Sequence, residues 1–306
     1  MAVFTTFKQE SLARHLVMYD LGELHQYEPI EGGIENSNYF VTLDNNGQLE
    51  EFVLTIAEGV SFDEIPFFNQ LMSHLFHYGL PVPEPLRTLD GMTNTSFCRK
   101  PTSLFPRLPG AHPVNLTINQ CRTIGVKLAE LHDAAQSNRQ TRPNPYSSNW
   151  VNQTLDQVQH QLSKEDFVLL QQIAAHYAEF EQTPELSRGI IHGDLFRDNA
   201  LFVDEELTGI IDFFHACEDF LMQDIAITIN DWCAKTDGSF DDARQAALLD
   251  GYQTIRHLTD FELESLTTFQ RFAALRFTLT RLISGEDGSP LKDPEEFLRI
   301  VRLLSP

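Results

Sequence analysis

The residues best able to do chemistry lie between Asp194 and Asp212, with Asn199 five positions after Asp194. Short apolar strands are predicted at 190–191 and 200–202, on either side of the polar loop. In phosphoryl transfer an Asp accepts the proton of the attacking hydroxyl, while an Asn and a second Asp supply hard oxygen ligands to Mg²⁺. The alternative, that Asp194 and Asn199 only cap turns, does not account for all three residues together. The spacing therefore predicts phosphoryl transfer, with Asp194 as catalytic base and Asn199 and Asp212 as magnesium ligands.

Two consecutive glycines, Gly32 and Gly33, are predicted to form a turn before a strand at 38–43, with a further strand at 51–56. Such a turn lets backbone amides approach phosphate oxygens, and the polar residues after it add donors. A Gly-Gly turn by itself is more often only a hairpin, and the order of the motifs along the chain favours the phosphate interpretation. The predicted phosphate-binding residues are Gly32, Gly33, Ile34, Asn36, Ser37 and Asn38.

A lysine is missing from the third predicted strand. In protein kinases a lysine there pairs with a glutamate on the following helix, but Thr55 stands near the expected position. The following helix is predicted to begin with Asp63 as its cap and Pro66 in its first turn, and Gly79 ends it. Glu64 lies where that glutamate would be. Its alternative interpretation is an acidic residue of the first turn that interacts favourably with the helix dipole. Two interpretations stay open: the phosphates are bound without this lysine, or catalysis has been lost.

The second half of the sequence is predicted to be mostly helical. Residues 103–110 are rich in Pro and Gly and are interpreted as a hinge whose backbone meets adenine. Amphipathic spacing predicts a helix at 119–135, with His132 packed in the core. Asp224 opens an apolar helix and is interpreted as steadying the catalytic loop. Further helices are predicted at 9–21, 150–182, 240–258, 260–284 and 293–304.

Composition limits the class of partner. Of 306 residues, 42% are hydrophobic and 22% charged, as in an ordinary globular protein of two domains. The formal net charge is −22, so nucleic acid and anionic membrane surfaces would be repelled. The sequence therefore predicts no nucleic acid and no membrane as partner, and its acidic balance is compatible with a small-molecule substrate that is cationic or zwitterionic.

The four cysteines are Cys98, Cys121, Cys217 and Cys233, and none forms a Cys-x-x-Cys pair. Each is flanked by apolar residues, so all four are predicted to be buried, reduced thiols. No basic and apolar leader opens the sequence, and no segment is long and apolar enough to cross a bilayer. These features predict a cytoplasmic location.

Four segments together carry a family resemblance: residues 32–41, 192–199, 211–217 and 224–233. They resemble the homoserine kinase branch of the aminoglycoside-phosphotransferase-like kinases across most of the chain. The His-Gly-Asp and Ile-Asp parts are shared by the superfamily, while Leu-Phe-Arg-Asp-Asn and Asn-Asp-Trp-Cys are more particular to this branch. A threonine at position 55 is also similar to that branch, so it counts less against activity.

This resemblance implies an α+β, two-lobed, protein-kinase-like fold. The N-lobe, 1–104, would be a small antiparallel sheet with one main helix and would bind the nucleotide phosphates. The C-lobe, 105–306, would be larger and mostly helical, with the catalytic loop, magnesium and substrate sites. ATP and Mg²⁺ are the implied cofactors, and L-homoserine is the implied substrate. Its product, O-phospho-homoserine, would feed threonine synthesis.

Homoserine carries an ammonium and a carboxylate, so its site needs an acid and a donor such as arginine. The candidates are Arg197, Asp198 and Asp231. Two other functions remain open from the sequence: a kinase of the same fold acting on choline, a sugar or an aminoglycoside, and a nucleotide-binding protein without turnover.

Overall fold

A computed structural model describes residues 5–30, 35–181, 183–284 and 292–305. The chain divides into two compact units. The first comprises Met1–Gly110 together with Thr208–Phe214, and the second comprises Ala111–Leu207 and His215–Pro306.

The first unit is built on a five-stranded antiparallel sheet. Its elements are α1 (Gln9–Leu16), β1 (Glu23–Pro29), β2 (Asn36–Asn45), β3 (Gln48–Ala57), α2 (Ile65–His77), β4 (Thr95–Phe97) and β5 (Lys100–Pro106), with strand order β1-β2-β3-β5-β4. The predicted antiparallel sheet with one main helix is confirmed. A two-residue turn, Asn46–Gly47, joins β2 to β3, and both residues have positive φ (55° and 90°), as a tight hairpin requires.

Apolar side chains on one face of this sheet form a buried cluster with α1. The alternation of strand residues places Tyr39, Val41 and Leu43 of β2 on this face, opposite Leu54 and Phe52 of β3. Each of these residues is at most 5% exposed. Burial of this face fixes the register, because a slip by one residue would turn the apolar set outward.

The start of α2 differs from the prediction. The helix begins at Ile65 with Glu64 as N-cap, and no side chain caps it. Instead of Asp63 capping the helix, Glu64 Oε2 accepts hydrogen bonds from Ser61 N (3.2 Å) and Ser61 Oγ (2.9 Å), which fixes the turn before the helix. Pro66 lies in the first turn as predicted.

The second unit is mostly helical. Its elements are α3 (Ile118–Ala135), α4 (Ser148–Val158), α5 (Lys164–Phe180), β6 (Arg188–Ile191), β7 (Ala200–Val203), β8 (Glu206–Ile210, which ends in the first unit), β9 (Cys217–Phe220), α6 (Leu221–Trp232), α7 (Asp242–Gln253), α8 (Asp260–Ser284) and α9 (Glu295–Leu304). Strand β6 pairs antiparallel with β9. Helix α6 is buried along almost its whole length and packs against α8.

The segment predicted as one helical stretch at 150–182 contains two helices. Helix α4 ends at Val158, and α5 begins after Ser163, whose Oγ accepts a hydrogen bond from Asp166 N at 3.0 Å. A serine three residues before an acidic residue is a capping signal, and here it restarts the helix. The helix predicted at 119–135 is confirmed within one residue, and a reciprocal cap between Thr117 and Gln120 precedes it.

The cysteine prediction is wrong for one residue. All four cysteines are free thiols, and Cys121, Cys217 and Cys233 are buried, but Cys98 is exposed. Cys98 and Arg99 form the two-residue turn between β4 and β5, with φ of 53° and 63°, and a turn tip projects its side chains into solvent. Among the described residues, no helix is long and apolar enough to span a membrane.

Candidate active site

The backbone of the predicted catalytic loop is held by one buried carboxylate. Asp224, in the first turn of α6, accepts hydrogen bonds from His192 N at 2.7 Å and from Gly193 N at 2.9 Å. Two amides on one ionised carboxylate are charge-assisted bonds and are stronger than neutral ones. The interpretation that Asp224 steadies the loop is confirmed, and the two residues before Asp194 are thereby fixed.

A second layer of contacts supports Asp224. Its Oδ2 lies 3.1 Å from His132 Nε2, and His132 Nδ1 lies 2.7 Å from the Tyr252 hydroxyl. Burial alone would raise the pKa of Asp224, but the hydrogen bond and charge of His132, with the Gly193 amide, lower it. His132 is buried as predicted. Its polar contact with Asp224 was not predicted, because the two residues are 92 positions apart.

Gly193 is required by its surroundings. Its φ is +77°, and a Cβ built there would lie 2.7 Å from His215 O. A side chain at this position would therefore strain the backbone and collide with it. The carbonyl of Gly193 accepts a hydrogen bond from Arg276 Nη1, so both polar backbone groups of this residue are engaged.

The structure brings Asp194 and Asn199 together. Asn199 Nδ2 donates to Asp194 O at 2.7 Å and to Asp194 Oδ2 at 2.9 Å. The contact orients the Asp194 carboxylate, and it leaves the amide oxygen of Asn199 as a hard ligand suited to a magnesium ion. Asp212 lies in the part of the chain that belongs to the first unit, with a φ of 63°. Its role as the second magnesium ligand stays a prediction from the sequence spacing.

The three residues predicted to bind substrate each have an internal partner. Arg197 Nε and Nη2 donate to Asp231 Oδ2 (3.0 Å) and Oδ1 (3.2 Å), and Arg197 N also donates to Asp231 Oδ2 (2.7 Å). Asp198 Oδ2 accepts from Lys292 Nζ at 2.8 Å. Burial would lower the pKa of Arg197, but the charge of Asp231 raises it. Their substrate role stays a prediction.

The predicted phosphate-binding residues fall at one end of the sheet in the first unit. Gly32, Gly33 and Ile34 lie outside the described residues. Asn36, Ser37 and Asn38 begin β2. Ser37 is opposite Ile56, on the face of the α1 cluster, whereas Asn38 is opposite Thr55, on the other face.

Ser37 belongs to a polar cluster on the α1 face. Its hydroxyl accepts from Thr5 N (2.9 Å) and donates to Glu58 Oε1 (2.5 Å), and Lys100 Nζ donates to Glu58 Oε2. Burial would raise the pKa of Glu58, but Lys100 and the two hydroxyls lower it. Lys100 is therefore an anchor on the α1 face and does not replace the missing lysine at Thr55.

Polar side chains lie in a row on the face that carries Thr55. Asn38 of β2, Thr55 of β3 and Ser103 of β5 are direct cross-strand neighbours. Ser103 Oγ accepts a hydrogen bond from Asn69 Nδ2 of α2 at 2.9 Å, which shows that this face points to α2. Of the three polar residues at the start of β2, Asn38 thus shares a face with the position that holds lysine in protein kinases.

Sequence reasoning missed Arg276. It lies in α8, is 3% exposed, and stacks over the Tyr146 ring with Cζ 4.0 Å from the centroid. A sequence signal existed, because an arginine stands inside the otherwise apolar run from Phe272 to Phe277, and a charge at a buried helix position is uncommon.

Comparisons with known proteins show the family of this chain. Residues 26–258 match the model of the phosphotransferase enzyme family. The chain is 39% identical over 302 residues to a homoserine kinase of Pseudomonas aeruginosa (strain LESB58), covering 97% of this chain and 94% of that protein. It is 38% identical over 316 residues to a homoserine kinase of Cupriavidus necator (strain ATCC 17699 / DSM 428 / KCTC 22496 / NCIMB 10442 / H16 / Stanier 337), covering 99% and 96%.

Solved structures show the same fold at low identity. The amicoumacin kinase hAmiN, in complex with AMP-PNP, Ca²⁺ and Ami, superposes with a TM-score of 0.78 at 15% identity over 98% of this chain and 93% of that one. A microcompartment-associated aminopropanol kinase gives 0.66 at 20% identity over 97% and 94%. The expected α+β, protein-kinase-like fold class is confirmed. By its sequence match and its relatives, the chain belongs to the phosphotransferase enzyme family.

Proposed function

We propose that this protein is a homoserine kinase, which transfers the γ-phosphoryl group of ATP to the side-chain hydroxyl of L-homoserine. The substrate is supported by the nearly full-length similarity to homoserine kinases at 38–39% identity. The chemistry is supported by one structural observation, the hydrogen-bonded pair of Asp194 and Asn199 on a loop fixed by Asp224. The product would be O-phospho-homoserine, an intermediate of threonine synthesis.

Asp194 acts as the catalytic base in this proposal. It orients the acceptor hydroxyl and takes its proton as the phosphoryl group is transferred. The hydrogen bond from Asn199 Nδ2 to Asp194 Oδ2 holds the carboxylate in one orientation. Because the transition state is loose, positioning of this kind supplies much of the rate.

Asn199 and Asp212 are proposed to hold Mg²⁺, and the amides from Gly32 to Asn38 to cover the phosphates. An amide oxygen and a carboxylate are suitable ligands for a magnesium ion that keeps phosphate oxygens and water in its shell. The bound ion would neutralise charge on the phosphate oxygens. These assignments rest on the sequence pattern and on the family.

The remaining alternatives differ in acceptor or in turnover. A kinase for choline, a sugar, an aminoglycoside or an amino alcohol would share the fold, and relatives in fold include the spectinomycin phosphotransferase and the aminopropanol kinase. A nucleotide-binding protein without turnover is motivated by Thr55 at the expected position of the lysine and by Asp212-Phe213-Phe214 where protein kinases have Asp-Phe-Gly. We also propose a cytoplasmic location, which the free thiols favour.

The direct test is release of ADP from Mg-ATP with a panel of acceptors: L-homoserine, L-serine, choline, 3-aminopropan-1-ol and kanamycin. The proposed function predicts turnover with L-homoserine at least about a hundredfold above every other acceptor in kcat/KM. Preference for another alcohol would keep the mechanism and reject the substrate. ATP binding without turnover of any acceptor would support the silent nucleotide-binding protein.

A further inference from the structure

The guanidinium of Arg276 has one edge in use and one edge without a partner. Nη1 donates to the carbonyl of Gly193. Nε and Nη2, which lie side by side on the other edge, are buried and have no hydrogen-bond partner within the described residues. An arginine edge of this kind matches the two oxygens of a carboxylate. Leaving two buried donors of a cation unsatisfied is costly, so this edge indicates a ligand.

A small, partly enclosed cavity adjoins this arginine. Its volume is about 10 Å³, which is room for one group about the size of a water molecule or a carboxylate oxygen. Arg276, Gly193 and Asp219 line it together with Tyr146 and His215. Gly193 directly precedes Asp194 in sequence, so the cavity lies next to the proposed catalytic base.

Another arginine of the second unit, Arg197, has the same Nε and Nη2 edge occupied by a carboxylate. Arg197 donates through Nε and Nη2 to the two carboxylate oxygens of Asp231 at 3.0 and 3.2 Å. Arg276 has no comparable ion pair with any described residue. Asp219 lines the same cavity, but its oxygens accept from Asn144 Nδ2 (2.7 Å) and Phe220 N (2.8 Å).

We propose that Arg276 determines acceptor specificity by binding the α-carboxylate of the amino-acid acceptor through Nε and Nη2. This inference rests on the proposed function, because it assumes an acceptor that carries a carboxylate. Asp219, on the same cavity, is placed to face the ammonium group of the acceptor. Nη1 of the same side chain donates to the carbonyl of Gly193, the residue before Asp194. Acceptor binding and the position of Asp194 are therefore linked through Arg276. Binding requires the cavity to widen, since a volume of about 10 Å³ admits only the end of the carboxylate.

The test compares an acceptor with and without the carboxylate. L-homoserine and 3-aminopropan-1-ol both have an amine and a primary hydroxyl, and only the former has the carboxylate. Steady-state or single-turnover phosphorylation of both is measured for the wild type, Arg276→Met and Arg276→Lys. Arg299→Met is the control, since this arginine is nearly half exposed and lies outside the site.

Arg276→Met should lower kcat/KM for L-homoserine by about 100-fold more than for 3-aminopropan-1-ol, because only L-homoserine loses a carboxylate contact, whereas the lost hydrogen bond to Gly193 O affects both acceptors equally. Arg276→Lys keeps a positive charge without the paired Nε and Nη2 donors. Its kcat/KM for L-homoserine should lie between those of the wild type and Arg276→Met. An equal loss with both acceptors would overturn the proposal, because it would make Arg276 only a positioning residue for the loop. No turnover of L-homoserine by the wild type would instead reject the proposed function itself.

If Arg276→Met fails to fold, the wild type supplies the second test. A crystal structure with L-homoserine and AMP-PNP should show both carboxylate oxygens at about 2.9 Å from Nε and Nη2. A water molecule on this edge, with the acceptor carboxylate bound elsewhere, would overturn the proposal.

Discussion

Arg197 and Arg276 both contact the region around Asp194, and they use the same chemical group in opposite ways. Arg197 directs its Nε and Nη2 edge to Asp231 and so joins the catalytic loop to the end of α6. Arg276 leaves that edge without a partner and uses Nη1 on the backbone of Gly193. The first arginine is satisfied inside the protein, and the second has donors left for a ligand.

The difference shows why residue type alone does not identify a substrate-binding arginine. Arg197 lies inside the catalytic-loop motif and was therefore the natural candidate from the sequence. An arginine whose edge is filled by an internal carboxylate would have to break that pair to bind a ligand, leaving a buried charge behind. Arg276, which is far away in sequence, has no such pair to break.

Arg197 and Arg276 matter for catalysis only if the loop that both contact is catalytic. Asp194→Asn should lower kcat for the preferred acceptor by about 10³-fold, because it removes the proposed base while keeping a similar shape. ATP-analogue affinity, measured by calorimetry, should change little. Asp156→Asn, at an exposed position of α4, is the matched control. Full activity of Asp194→Asn would show that the loop does not act by base catalysis.

A second change removes the common support of the loop. Asp224→Asn leaves one acceptor oxygen for two buried amides and should lower kcat by about 10- to 100-fold and the free energy of unfolding by about 2 kcal/mol. The lowered pKa of Asp224 gives the sign with pH: its stabilisation is present above the unfolded pKa and is lost as pH falls through the folded pKa. Denaturant unfolding and kcat check both effects. Unchanged kcat in a destabilised protein would show that the loop holds its geometry without Asp224.

The third change tests the two arginines directly. Arg197→Met leaves Asp231, whose side chain is 10% exposed, without its cationic partner and with only the backbone amide of residue 197 as donor. It should lower the free energy of unfolding by about 2 kcal/mol, discounted because Arg197 is partly exposed. Its KM for L-homoserine should stay within about twofold of the wild type, in contrast to Arg276→Met. A raised KM for L-homoserine in Arg197→Met, with normal stability, would reverse the comparison and support Arg197 as the acceptor site.

The last change concerns Asp219, and its effect depends on pH. Burial raises its pKa to about 6, against an ordinary value of 3.8. The stabilisation by protonated Asp219 is therefore fully present below about pH 4. It is lost as the pH rises toward 6, because Asp219 ionises at a lower pH in the unfolded chain than in the folded protein. Between about pH 4 and 6, the free energy of unfolding of Asp219→Asn should increase relative to that of the wild type by at most about 3 kcal/mol. Above this range the difference between the two proteins should stay constant. Chemical denaturation at several pH values measures the difference. Parallel curves throughout would place the pKa near its ordinary value.

Local patterns in the sequence were sufficient for part of this molecule. The antiparallel sheet, the turn at Asn46–Gly47 and the helix at 118–135 follow from alternation, turn chemistry and helical spacing. The pairing of Asp194 with Asn199 follows from five positions of chain within one loop. Cys98 was wrong because the short hairpin at its position could not be distinguished from a buried strand.

By itself, the sequence determined the residue types that can transfer a phosphoryl group and their order along the chain. Only the tertiary structure decided how each polar group is satisfied. The partner of the Gly193 carbonyl, Arg276, is 83 positions away, and the support of Asp224 by His132 spans 92 positions. Hydrogen-bond saturation depends on neighbours in space, so the sequence could identify arginines but not which one keeps an edge available for a substrate.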